Sequence, residues 1–140
     1  MITKKPLIIV TRRLPQAIES RMQELFNVRL NGDDHEFSSD DMMDAVLEAD
    51  VLVPTVTDKI DGHVIAMAGP QLKMIANYGV GVDHIDLKAA RNKMITVTNT
   101  PGVLTEDTAD MALSLMLGLM RKMNESEQLL RAGNWKGWAP

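Results

Sequence analysis

The 140-residue chain has no cysteine, which excludes a disulfide framework, a thiol nucleophile and a thiolate metal site together. Aromatic residues make up only 4%, and basic residues are outnumbered by acidic ones, giving a formal net charge of -4 with the two signs interspersed. Without a basic face, a nucleic-acid partner is not expected. Long apolar runs are missing too. The most apolar stretch, A-D-M-A-L-S-L-M-L-G-L-M, is bounded by Asp110 and Arg121 and is too short to span a membrane. The start, M-I-T-K-K-P-L-I-I-V, breaks at Pro6, and its short apolar run falls well below a signal-peptide core. A cytoplasmic protein is therefore expected. What the chain does have is 45% apolar residues, enough to bury one core of ordinary size.

The apolar residues are ordered. Leu7 to Val10 is an all-apolar run between Pro6 and Thr11, as in a strand buried on both faces of a parallel sheet. Pro15 then opens a helix in which Ile18, Met22, Leu25 and Phe26 form one stripe to lay on that sheet. Asn27 to Leu30 is a weakly marked strand. Ser38 or Ser39 caps a helix carrying Met42, Met43, Val46 and Leu47, Val51 to Val53 is the third strand, and Asp61 caps a helix running through Ala68. Leu72 to Ala76, a short helix from Asp86 to Lys93, and the β-branched run ending Met94 to Val97 complete the pattern. Five strands alternating with four helices predict an α/β fold, a parallel five-stranded sheet covered on both sides, with the flavodoxin-like order 2-1-3-4-5 as its simplest right-handed winding.

From Thr105 to about Ala132 there is no proline, and Gly118 is the only glycine, so one helix of roughly 28 residues is expected, about 42 Å long at 1.5 Å per residue. It would overshoot a domain of this size. Its first half is apolar nearly all round, which requires a second domain or subunit to cover it. The chain is thus divided into 1–104, the sheet domain, and 105–140, the long helix with the residues beyond its end. The chain is expected to be the front part of a longer protein.

The stretch N-Y-G-V-G-V-D-H-I-D, Asn77 to Asp86, begins like the dinucleotide fingerprint G-x-G-x-x-G. His84 occupies the third glycine position, however, and the region about twenty residues on reads Thr98-Asn99-Thr100-Pro101 rather than offering an acid for a ribose. Gly79-Val80-Gly81 instead ends the fourth strand, where open α/β sheets bind ligands. There, two glycines around a valine let successive N–H groups face a carboxylate, or else simply supply positive φ to a tight turn. His84 beside it is a conceivable proton donor, but packing over Asp83 and Asp86, which would cap the turn and the helix, is the simpler role. Asp33-Asp34-His35-Glu36 has metal-type ligands yet follows Asn31-Gly32 and is more simply a solvated loop; no metal is expected. His63 is expected at the surface. Arg12-Arg13 could draw an anion toward the sheet, or be a solvated turn. Thr105, Glu106 and Asp107 load the positive end of the long helix with acceptors and charge. Thr108, one turn in, is either an ordinary first-turn residue or one whose hydroxyl faces a cofactor. The methionines at 111, 116, 120 and 123 are adaptable packing surface.

Taken together, V-T-R-R-L-P, N-Y-G-V-G-V-D-H-I-D, N-T-P-G-V-L-T-E-D-T-A-D and G-N-W-K-G-W resemble the D-isomer-specific 2-hydroxyacid dehydrogenases, nearest to the glyoxylate/hydroxypyruvate reductases, over essentially the whole chain. The resemblance implies an NAD- or NADP-dependent enzyme that reduces a small 2-keto acid by hydride transfer. In it the amides at Val80 and Gly81, with Gly79, hold the substrate carboxylate. Thr108 matches a position touching the nicotinamide cofactor, and Trp138 one that reaches toward the active site of a dimer partner. Asp110 stands where many relatives carry glutamate. The nucleotide-binding Rossmann domain, and with it the family's catalytic arginine, acid and histidine, lie beyond this sequence, so no catalytic residue is assigned here. The chain alone is expected to be inactive, to bind no cofactor, and to pair as a homodimer through the long helix.

Two other classes compete with this reading. A phospho-receiver shares the winding but needs acidic residues where the sequence reads Thr11-Arg12-Arg13 and Val53-Pro54-Thr55. A non-enzymatic interaction protein that senses a dinucleotide on the same fold is the alternative that only downstream sequence separates.

Overall fold

The computed structural model describes residues 5–138; the basic start of the chain, residues 1–4, and the last two residues lie outside it. Five strands, β1 (Leu7–Val10), β2 (Asn27–Arg29), β3 (Val51–Val53), β4 (Met74–Ala76) and β5 (Thr96–Thr98), form one parallel sheet in the order β2-β1-β3-β4-β5. This is the expected winding. Four helices fill the crossovers: α1 (Gln16–Leu25), α2 (Ser39–Glu48), α3 (Gly62–Met67) and α4 (Leu87–Asn92). Their starts obey the capping rule: Ser38 and Asp41 form a reciprocal capping box on α2, Asp61 accepts from the N–H groups of His63 and Val64, and Asp86 accepts from that of Ala89.

The two faces of the sheet differ. Ile9, Leu52, Ile75 and Val97 are register partners in succession, and because side chains alternate along a strand they form one row on one face. Met42, Ala45, Val46 and Ala49 on and beside α2, Val64 and Ile65 on α3, and Ala90 on α4 close over that row. The opposite face has a smaller core of Ile8, Val10, Leu14 and Val53, with Met22 of α1 packed against it. Here the expected stripe is only partly realised: Ile18, Leu25 and Phe26 remain 48%, 45% and 36% exposed, and no residue of α1 is buried. The physical reason is position. Helix α1 packs beside β2, the edge strand of the sheet, so part of its stripe has no further strand or helix to meet, and on β5 at the other edge Thr96 and Thr98 also stay exposed.

The chain divides into two compact units, the first up to Pro101 and the second from Gly102. The second contains a correction. Instead of one helix of roughly 28 residues, it has α5 (Thr105–Met120) and α6 (Met123–Arg131), separated at Arg121 and Lys122. Lys122 takes a left-handed conformation, φ 48° and ψ 45°, which costs a non-glycine residue about 1 kcal/mol and carries no glycine or proline signal. Nor does a side chain cap α5; its start at Leu104 is uncapped, and Glu106 and Asp107 contribute only charge to the first turn. Gly133, at φ 68°, ends α6 with its N–H on the carbonyl of Leu130. No residue of α5 or α6 is buried; Met111, Leu113, Leu115, Leu117 and Leu119 are all more than half exposed.

Candidate substrate site

Two hydrogen-bonded assemblies occupy the C-terminal edge of the sheet. The first joins β1, β2 and β3. Thr11, fully buried, donates its hydroxyl to Asp58 Oδ2 at 2.5 Å, and the same oxygen accepts from the Thr55 N–H at 2.7 Å. Asn31 donates to the carbonyls of Thr11 and His35, both at 2.7 Å. Arg12 is not free to draw in an anion: its guanidinium grips both carboxylate oxygens of Asp34 at 3.0 and 3.2 Å and the Thr57 hydroxyl at 3.1 Å. Arg12 and the N–H of Arg13 hold the Asp34 carboxyl down to a pKa of about 2. Arg13 turns to the carbonyl of Gly32. The neighbouring acids are similarly committed. Asp33 bonds His35 Nδ1 at 2.9 Å, which raises the His35 pKa and lowers that of Asp33, and the His35 ring stacks on Phe37. This is the solvated loop; His63 is exposed, also as expected.

The second assembly is the turn after β4. Tyr78 N–H bonds the Pro54 carbonyl at 2.8 Å, anchoring the turn to β3. Beyond that point the carbonyls are all tied down. Gly79 O accepts from the Thr100 N–H at 3.0 Å and from Asn77 Nδ2 at 3.1 Å, Val80 O from Asn99 Nδ2 at 2.8 Å, and Gly81 O from Asn77 Nδ2 at 2.9 Å. The N–H groups of Gly79, Val80 and Gly81, by contrast, donate to no acceptor among the described residues. A peptide whose carbonyl is held inward presents its N–H on the other side, because the two are anti across a planar bond. The turn therefore offers backbone donors and no cationic side chain, which suits a small carboxylate.

The glycines do not supply the positive φ of a tight turn. Neither Gly79 nor Gly81 has positive φ; the positive-φ glycines are Gly102, Gly133 and Gly137. At Gly79 the requirement is space, since a Cβ would lie 2.5 Å from Val56 Cγ1 and 3.2 Å from Asn77 Nδ2, whereas at Gly81 its nearest neighbour would be Asp83 Oδ2 at 3.7 Å.

His84 is also placed differently. Rather than packing over a pair of capping aspartates, its Nε2 meets Asn77 Oδ1 at 3.0 Å, and only Asp86 caps, at the start of α4. Because both Asn77 Nδ2 protons go to carbonyls, Oδ1 is the acceptor and Nε2 carries the proton. Burial pushes the His84 pKa below its ordinary value, partly offset by Asp58 and Asp83, so the ring is a neutral strut.

In the second unit, Thr108 returns its hydroxyl to the Leu104 carbonyl at 2.7 Å and is exposed, as a first-turn residue does, and Trp138 is 87% exposed. Asn77, Asn99, Thr11 and Asp58 join these assemblies without standing out in the sequence. Only Asn77 carries a local signal, a short amide side chain directly before a glycine turn.

Comparison with known proteins decides the family. The sequence profile described as "D-isomer specific 2-hydroxyacid dehydrogenase, catalytic domain" matches residues 8–134. The chain belongs to this family. A glyoxylate reductase of Thermococcus onnurineus is 39% identical over 97% of the chain, which spans 42% of that relative's length. The TT0316 protein of Thermus thermophilus superposes with a TM-score of 0.81 at 42% identity, over 96% of this chain and 43% of that one. An NADPH-dependent glyoxylate/hydroxypyruvate reductase of Sinorhizobium meliloti, solved with NADP and malonate, gives a TM-score of 0.75 at 30% identity, over 98% and 42%. The five-stranded sheet is thus a 2-hydroxyacid dehydrogenase substrate-domain fold.

Proposed function

We propose that this chain is the substrate-binding part of a cytoplasmic NAD(P)-dependent 2-hydroxyacid dehydrogenase that reduces a small 2-keto acid, glyoxylate or hydroxypyruvate, with residues 1–104 as its substrate domain. The observation that carries the reading is the turn after β4, in which every carbonyl from Gly79 to Gly81 is bonded and every N–H is free. The substrate carboxylate sits on the N–H groups of Val80 and Gly81, leaving the keto carbon directed away from the sheet. The glyoxylate reductase among the relatives, and the reductase solved with NADP and malonate, support that substrate and cofactor class.

The dinucleotide itself does not fit the first unit. Its nearest approach to a fingerprint, G-V-G-V-D-H, has His84 bonded to Asn77 where close helix approach needs glycine. Thr108 and Trp138 are the residues of the second unit assigned to cofactor and substrate contact, and no catalytic residue is assigned. When bound, the nicotinamide supplies the hydride; the residues of this chain orient the keto acid for it.

The all-round apolar surface of α5 supports a homodimer through that helix. Covering 400 Å² of it at about 25 cal/mol per Å² contributes roughly 10 kcal/mol before the entropic cost of association. A sedimentation-equilibrium mass that stays at the 15.5 kDa chain value at micromolar concentration would count against it.

The test of the substrate reading uses the purified chain. Glyoxylate should shift the Val80 and Gly81 amide resonances without cofactor-dependent turnover. Unmoved amides would overturn the binding site, and turnover would return His84 to consideration as a proton donor.

A further inference from the structure

The turn after β4 has a built-in support. Asn77 is 3% exposed, and its side-chain amide is engaged at both ends: two donations go to the carbonyls of Gly79 and Gly81 and one bond is accepted from His84. Rotating that amide by half a turn would set its oxygen against two carbonyl oxygens and its NH₂ against an Nε2–H, so the orientation is determined by the partners alone. His84 follows from the same logic. The imidazole has two neutral tautomers, and only the one protonated on Nε2 completes the chain of bonds. The strut runs Nε2–H of His84, then the Asn77 amide, then two carbonyls of the turn.

We propose that Asn77 is the positioning residue of the carboxylate site and that His84 acts through it: Asn77 holds the Gly79 carbonyl, whose peptide plane carries the Val80 N–H, and pins the Gly81 carbonyl, so that the Val80 N–H is aimed outward before any ligand arrives and the Gly81 N–H, in the plane of the Val80 carbonyl that Asn99 holds, is kept between two pinned planes. The ligand half of this statement rests on the substrate reading above. The geometric half rests on the hydrogen bonds alone. His84 is thereby a structural counterpart of the missing third glycine, filling with a hydrogen-bonding ring the place where a dinucleotide turn would bring a helix close.

Three variants of the ¹⁵N-labelled 140-residue chain separate the possibilities, with oxalate as the probe. His84→Gln retains an N–H donor toward Asn77 Oδ1. His84→Phe retains bulk without a donor. Asn77→Asp retains the acceptor for His84 but replaces the donor to both carbonyls with an oxygen. Ligand-free wild type should show the neutral His84 protonated on Nε2. The Gly79–Gly81 amide resonances should move in His84→Phe and not in His84→Gln. Oxalate should bind His84→Gln as it binds wild type and His84→Phe about tenfold more weakly, the scale of one hydrogen bond. Asn77→Asp should lose binding altogether; if it fails to fold, the histidine pair alone decides.

A His84 ring protonated on Nδ1, or unmoved turn amides and undiminished oxalate affinity in His84→Phe, overturns the proposal. If wild type gives no oxalate response, the substrate reading fails instead, and the tautomer with the two histidine variants still judges the strut.

Discussion

Replacing Thr11 by valine removes one hydroxyl and keeps the side chain's shape, which makes it a direct measure of the assembly that joins β1 to β3. The hydroxyl is fully buried and lies 2.5 Å from a carboxylate oxygen of Asp58, itself 7% exposed. A hydrogen bond to a charged group is worth roughly 1.5–3 kcal/mol net, and Asp58 keeps its bond from the Thr55 N–H, so Thr11→Val should cost about 2 kcal/mol. Asp58→Ala should cost at least as much, because it leaves the buried Thr11 hydroxyl and the Thr55 N–H without their shared acceptor. The two losses share one bond. The double variant should therefore be more stable than the sum of the singles predicts, by about 1 kcal/mol or more. The isoleucines of the described residues all lie in the first unit and both tryptophans in the second, so isoleucine methyl signals report the relevant unfolding without confusion from α5 and α6. At about 1 kcal/mol per M of urea for a unit this size, Thr11→Val should lower the midpoint by about 2 M. A shift within error, or strictly additive variants, would refute the claim that this buried pair clamps the two strand ends.

Two further outcomes concern positions other than the Thr11–Asp58 pair. Gly69→Ala would place a Cβ 2.5 Å from the backbone oxygen of Leu47 and should destabilise the first unit by roughly 1–3 kcal/mol, whereas Gly32→Ala, with no atom within 4 Å, should be neutral or slightly stabilising; equal thermal midpoints for the pair would contradict this. The Asp34 carboxyl is depressed from 3.8 to about 2 by Arg12 and the Arg13 N–H. A depressed folded-state pKa stabilises above the unfolded value and stops doing so as pH falls through the folded one, so the stability gap between wild type and Asp34→Asn should close between about pH 4 and about pH 2. A gap that stays constant across that window would show that Arg12 does not discriminate the charged form.

The parts legible in the sequence are those where one local rule dominates. All-apolar Leu7–Val10 and Val51–Val53 are strands with the expected bounds, and Ser38, Asp61 and Asp86 cap where their position before a helix implies. Where burial and regular structure part company, the boundaries move. Leu72 is buried inside a turn whose N–H bonds the Gly69 carbonyl, so β4 begins two residues later than its apolar run. Met94 is left-handed at φ 59° and 87% exposed, so β5 starts only at Thr96 although Ile95 is already in the core. The break between α5 and α6 is illegible because a left-handed lysine is a rare backbone state without a residue type of its own. At the site, spacing places the glycine turn at the end of β4 but says nothing of its restraints. The Asn99 bond to Val80 spans 19 residues, and the Arg12 bond to Asp34 spans 22; neither belongs to a local period.

These restraints also determine what kind of anion site the first unit can be. On the β1 side the available cations are spent internally, Arg12 on Asp34 and Thr57 and Arg13 on the Gly32 carbonyl. On the β4 side, both amide protons of Asn77 and one of Asn99 are spent on carbonyls. What remains is a set of backbone N–H dipoles with their direction set in advance. Such donors recognise the shape and spacing of a carboxylate but leave its charge uncompensated, and neutral donors give weaker bonds than a guanidinium fork does. On the proposed function, the sheet domain thus contributes orientation, and the charge that makes binding tight comes from outside it. That division suits a reaction between two domains. On that reading, a keto acid held in one orientation on the sheet would be bound tightly only where a cation is supplied from beyond the sheet domain, so orientation and charge neutralisation would be separate contributions.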